Sequence, residues 1–133
     1  MTQTPLVAAL LGGQARSVLF SSRFNFVTTE SATWEVKKYI SPLSARSGVS
    51  ERELFYALDR FPITTIPSNL FDDTLDDAKR LIAHRDPKDV QVLALALKFG
   101  TAIWTNDTDF DNLHGVRVFK TAEMLEKLAE LEE

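Results

Sequence analysis

The stretch from Asp86 to Thr105 limits what this chain can fold into more than any other. Asp86 can cap a helix, Pro87 suits a first helical position, and Gly100 stands just past the end. Between them Val90, Leu93, Ala94 and Leu97 recur at helical spacing. Thr101–Thr105 then reads as a strand, so a helix with an apolar stripe feeds straight into a β-segment. Shorter units of the same kind precede and follow it. Phe24–Thr28 and the β-branched run Ile63–Ile66, bracketed by Pro62 and Pro67, are expected strands, as is Val116–Lys120. Helices are expected at Val7–Leu11 and Ala15–Phe20, broken by Gly12 and Gly13, and at Ser31–Ile40, stopped by Pro42. A capping box, Ser50-Glu51-Arg52-Glu53, opens another to about Arg60. Asp72–His84 is amphipathic, and Ala122–Leu131 begins at Thr121. Strands alternating with helices imply an α/β sandwich on a mostly parallel sheet, formed by one domain over residues 1–133.

Composition narrows the chemistry. The chain has no cysteine, which excludes disulfides and thiolate-bound zinc or iron–sulfur sites. Its start lacks a basic region and Leu6–Leu11 is too short for a membrane span, so a cytoplasmic location without membrane association is expected. The net charge of −4 argues against a protein that coats nucleic acid. The charge is uneven: residues 1–60 carry 7 Lys/Arg and 5 Asp/Glu, whereas residues 61–133 carry 8 and 14. An acidic site beside a weakly basic half is compatible with a metal nuclease, and equally with no nucleic acid.

In a parallel sheet, ligands bind beyond the carboxyl ends of the strands. Carboxylates expected near that edge are Glu35, Asp86, Asp89, Asp107 and Asp109, an oxygen-rich set suited to Mg²⁺ or Mn²⁺. Each also has a plainer reading. Asp86 and Asp89 suit a helix cap and first turn. Glu35, followed by Lys37 and Lys38, suits a solvated face. Asp107, Asp109 and Asp111 suit a turn. A calcium loop is excluded, because Asn112 and Val118 stand at its glycine and terminal glutamate positions. His84 and His114 have no paired histidine nearby and are expected at a helix end and in a turn. Trp34 and Trp104 are expected to pack inside, and Arg16, Arg23, Lys37, Lys38 and Arg46 are the basic candidates for phosphate contact.

Two signatures together carry a family resemblance. Arg85-Asp86-Pro87-Lys88-Asp89-Val90 with Leu93-Ala94-Leu95-Ala96-Leu97, followed by Ile103-Trp104-Thr105-Asn106-Asp107-Thr108-Asp109-Phe110, resembles the carboxyl half of PIN domains. The closest type is the compact bacterial or archaeal kind that includes toxins of toxin–antitoxin pairs. Ala8-Ala9-Leu10-Leu11, Arg16-Ser17-Val18-Leu19-Phe20 and Thr28–Val36 extend the likeness over essentially the whole chain. The resemblance implies a three-layer α/β sandwich and an Mg²⁺- or Mn²⁺-dependent endoribonuclease acting on RNA, with an antitoxin protein as a further partner. By position, Glu35, Asp89 and Asp107 match the family's metal-binding acids. Asp109 matches an additional acid in the same loop, and Thr105 a hydroxyl near the metals.

One departure stands out. The family's leading strand ends in Asp-x-Asn ahead of the first helix, and those positions fall on Thr2 and Thr4. No Asp or Glu precedes Glu30, and a strand before Thr2 is absent. The resemblance therefore leads one to expect this sequence to lack a primary metal ligand and, by analogy, the central strand. A longer natural protein is the favoured explanation because the other acidic positions are intact. The alternatives are an inactive protein that acts as an RNA- or protein-binding module, and a sheet completed by another chain. An open sheet edge invites pairing, so a homodimer or higher oligomer is expected.

Overall fold

The computed structural model describes residues 4–82, 87–113 and 115–131. The helices are α1 (Thr4–Leu10), α2 (Gly13–Leu19), α3 (Glu30–Ser47), α4 (Glu51–Asp59), α5 (Leu75–Ile82), α6 (Pro87–Phe99) and α7 (Thr121–Leu131). The strands are β1 (Phe26–Thr29), β2 (Ile63–Ile66), β3 (Ile103–Trp104) and β4 (Val118–Phe119). β1 runs parallel to β2, with Phe26 opposite Ile63, and β3 runs parallel to β4, with Ile103 opposite Val118.

The strands separate two apolar layers by simple alternation. Phe26, Trp104 and Phe119 pack with α1, α2, α3, α4 and α7. Their neighbours Val27, Ile103 and Val118 turn to the other side, among residues of α5 and α6. Side chains on a strand alternate faces, so one residue's step moves a group from one layer to the other. The α/β sandwich expected from the sequence is thereby realised. The two parallel pairs, however, are separate two-stranded sheets, and no backbone ladder among the described residues joins β1 to β3.

Several local expectations need correction. Pro42 does not stop α3, which continues to Ser47 and ends at Gly48. Proline costs a helix interior about 3 kcal/mol, but Pro42 lies on the exposed side, and Leu43 just beyond it is 3% exposed. Burying a leucine returns roughly 1.5–3 kcal/mol, and the Ser44 hydroxyl donates to the Val49 carbonyl at 2.6 Å. Asp72–Thr74 forms a 3-10 turn ahead of α5 instead of its first turn. There the Thr74 hydroxyl lies 2.9 Å from the Phe71 carbonyl and 2.7 Å from that of Ala94 in α6. Of the segment expected to end at His84, residues 83–84 lie outside the described residues, as does Asp86. β3 and β4 are shorter than Thr101–Thr105 and Val116–Lys120, and among the described residues each pairs with a strand on one edge alone. Trp34 is 61% exposed, since it projects away from the buried Ala32, Val36 and Ile40 stripe of α3.

Other expectations hold. Gly12 and Gly13 both take positive φ, 95° and 77°, and divide α1 from α2. Ser50 accepts from the Glu53 N–H at 3.1 Å, capping α4. Trp104 is buried. No helix among the described residues is long and apolar enough to cross a membrane.

Lys98 near the end of α6 donates to Asp73 at 2.5 Å. That hydrogen bond, with help from the lysine charge, holds the Asp73 carboxyl below its ordinary range. The folded state thus binds this proton less tightly than the unfolded state does. The pair contributes at neutral pH, and the contribution is lost as pH falls through the lowered folded value. Stability measured by urea unfolding is expected to differ between Asp73→Asn and the parent at pH 7, by a small amount because the pair is exposed. The gap should shrink toward zero on acidification. A gap that persists unchanged into strong acid would contradict this.

Candidate metal centre

Three local devices set the positions of the acidic side chains. The first is the junction of β1 and α3. Thr29 is fully buried, and its hydroxyl accepts from the Ala32 N–H at 3.0 Å. This N-cap fixes where α3 begins, so Glu35 emerges in its second turn. Ser31, one turn before Glu35 on the same side, donates to the Gln91 side-chain oxygen of α6 at 3.1 Å. The Glu35 carboxylate stands 3.9 Å from the Lys38 ammonium, with 18% of its side chain exposed.

The second device is the start of α6. Asp89 lies in its first turn, two residues before Gln91, and is 6% exposed. The positive end of the helix dipole favours a carboxylate there. Burial to that degree is rare for aspartate unless it is partnered.

The third is the loop after β3. Thr105 is fully buried, and its hydroxyl accepts from the Asp107 N–H at 3.0 Å. Asp107 in turn accepts from the Asp109 N–H at 2.9 Å and opens the 3-10 turn Thr108–Phe110, which Phe110 anchors in the core. The turn reading of Asp107 is therefore realised. One such bond still leaves ligating capacity on a carboxylate, which has about four acceptor positions. Asp111 is exposed.

Two positioning residues escaped the reading of the sequence. Thr121 accepts from the Trp104 indole N–H at 3.0 Å and from the Asn106 amide at 3.1 Å. The Asn106 carbonyl oxygen accepts from the Thr121 N–H at 2.9 Å. This reciprocal pair clamps the acidic loop to the start of α7. The only hint in the sequence is that Asn106 directly follows a strand while Thr121 opens a helix.

Of the basic candidates, Arg16 is occupied. Its guanidinium donates to the Ala9 and Leu10 carbonyls, both at 2.8 Å, and so closes the end of α1. Arg23, Lys37, Lys38 and Arg46 are exposed. His84, Asp86 and His114 lie outside the described residues.

Glu35, Asp89, Asp107 and Asp109 supply hard oxygen donors, the class that Mg²⁺ and Mn²⁺ prefer. In number they fall short. Among the described residues no three His, Asp or Glu side chains stand close enough together to hold a metal ion.

The strand pairs, their flanking helices and the acids after β1, in α6 and after β3 define an α/β protein with its polar chemistry at strand ends. Comparison with protein families matches the PIN domain over residues 4–129, and the chain belongs to that family. A search of curated proteins found no match.

Asn106→Ala takes the acceptor from the N–H of buried Thr121, and Thr121→Val takes it from the indole N–H of buried Trp104. Asn106→Ala and Thr121→Val are each expected to cost about 1–3 kcal/mol. In a Trp34→Phe background, Thr121→Val should also shift Trp104 emission to the blue, as the indole N–H exchanges the Thr121 hydroxyl for an apolar neighbour. Unchanged stability in both variants, with unchanged Trp104 emission in Thr121→Val, would refute the clamp.

Proposed function

We propose that this chain is a PIN-type endoribonuclease dependent on Mg²⁺ or Mn²⁺, with Glu35, Asp89, Asp107 and Asp109 as ligands. One observation carries the reading. The capped start of α3, the first turn of α6 and the loop after β3 each bring acid to an end of β1 or β3 or to the helix between them. Family membership supports nuclease chemistry. Glu35, Asp89, Asp107 and Asp109 would hold the divalent ion, whose chemistry would be to lower the pKa of a water and stabilise the leaving oxygen. The chain's own contribution is positional. The Thr105 hydroxyl holds the Asp107 backbone, and the Ser31–Gln91 bond ties the α3 start to α6. At least one further oxygen ligand is needed, since the described acids do not complete a site. The role as a toxin inhibited by an antitoxin, a cytoplasmic location and assembly as a homodimer or higher oligomer belong to the same proposal.

That same shortfall favours a second reading, a PIN-like module that binds RNA or protein without cutting. Cleavage of a labelled structured RNA by the purified chain with Mn²⁺ separates the two. The expected result is cleavage that Asp89→Asn and Asp107→Asn abolish, while both variants keep a cooperative unfolding transition. Equal cleavage by parent and variants would sink the assigned site. No cleavage by any form, across millimolar Mn²⁺ and Mg²⁺, would establish the binding module.

A further inference from the structure

Among the described residues Trp34 is the most exposed of the large apolar side chains, at 61%. Tryptophan carries a large apolar surface, and most tryptophans are largely enclosed. This one stands on the second turn of α3, one residue before Glu35. The Lys38 ammonium lies 5.5 Å from the centre of its ring and 3.9 Å from the Glu35 carboxylate, so one lysine stands between the two side chains. We propose that Trp34 is a stacking platform for one unpaired nucleobase of an RNA strand, with the phosphate beside that base held by Lys38.

The helix fixes where the ring stands. The Thr29 cap sets the start of α3. The Thr33 hydroxyl donates to the Thr29 carbonyl at 3.3 Å and lies 3.3 Å from the Thr65 hydroxyl of β2. The residue before Trp34 is thus tied to a neighbouring strand. The fold makes little use of the indole itself, since the buried stripe of α3 is Ala32, Val36, Ile40 and Leu43. Trp34 and Glu35 are about 100° apart around the helix, so the indole borders the acidic edge. The surrounding charge then selects a nucleotide. Lys37 and Lys38 are both exposed beside the ring. An aromatic plane flanked by cations matches a base joined to its phosphate, whereas an apolar protein surface would have to lie against two ammonium groups. A base within a duplex has no free face, so the strand must be unpaired there. Tyr56, the next most exposed ring, fits less well. The Arg60 guanidinium already lies 3.8 Å from its centre, and α4 carries none of Glu35, Asp89, Asp107 and Asp109. The inference rests on the reading that the acidic edge meets RNA, and adds the subsite that grips the strand beside it.

The test is binding of octa-uridylate RNA to the full chain in EDTA, where no metal supports cleavage. The parent is expected to bind with quenching of tryptophan emission, the buried Trp104 contributing a constant background. Trp34→Leu should bind roughly 10-fold or more weakly and lose the quenching, with Trp34→Phe in between. Lys38→Gln should flatten the dependence of log K on log salt by about 0.7, the share of one phosphate contact on a single strand. Equal affinity of parent and Trp34→Leu, an absence of quenching, or no binding by the parent overturns the platform. So does a dimer by light scattering that Trp34→Leu converts to a monomer, which would make a second copy the occupant. Cleavage with Mn²⁺ is scored separately. A parent that cuts RNA while binding ignores Trp34 overturns the platform and leaves the nuclease. Binding that depends on Trp34 without cutting supports the platform and overturns the nuclease.

Discussion

The burial of α6 is the constraint on which the rest of the structure depends. Five consecutive residues, Val92 to Ala96, are each at most 5% exposed, so at 100° per residue the helix is enclosed all round. It packs against α3 and α5 and against both β1 and β3, the two strands that no ladder connects. Where a continuous sheet would normally fix strand positions, here the helix spanning both pairs does so. The first turn of such a helix has a determined location, and Asp89 inherits it.

The acidic edge and an apolar cleft are two consequences of one arrangement. β1 ends in Thr29, the cap of α3, and β3 ends beside Thr105, the anchor of the Asp107 loop. The cleft, lined by Phe26 and Val27 of β1 and by Ile103 and Trp104 of β3, lies between those same strands. The polar groups of the edge are held from the outside, by Ser31 to Gln91 on one flank and by Asn106 to Thr121 on the other.

Legibility followed the range of the interactions. Local signals read true: Pro87 and Gly100 around α6, Gly12 and Gly13 between α1 and α2, and the Ser50 cap of α4. Signals that depend on distant packing misled. Pro42 looks like a helix end until the burial of Leu43 beyond it is known. Thr74 looks like part of α5 until its bond to the Ala94 carbonyl is seen. The stripe Val90, Leu93, Ala94 and Leu97 implied a helix with one buried face, whereas α6 is buried on nearly all sides. Trp34 reads as core by composition alone, and only the orientation of α3 turns it outward. The places of Asp89 in a first helical turn and of Asp107 and Asp109 in a turn after a strand were legible one by one. The clamp from Asn106 to Thr121 was not, since it joins positions fifteen apart with no shared periodicity.

The proposed nuclease function requires that a divalent cation prefer the acidic edge to the rest of the surface. The most direct measurement is titration of Mn²⁺ into ¹⁵N-labelled protein, following paramagnetic broadening residue by residue. The amides of Asp89, Asp107, Asp109 and Glu35 are expected to broaden first, at substoichiometric metal. Broadening that begins instead at the exposed acids Asp72, Asp73, Asp76 and Asp77, with the edge untouched, would contradict it.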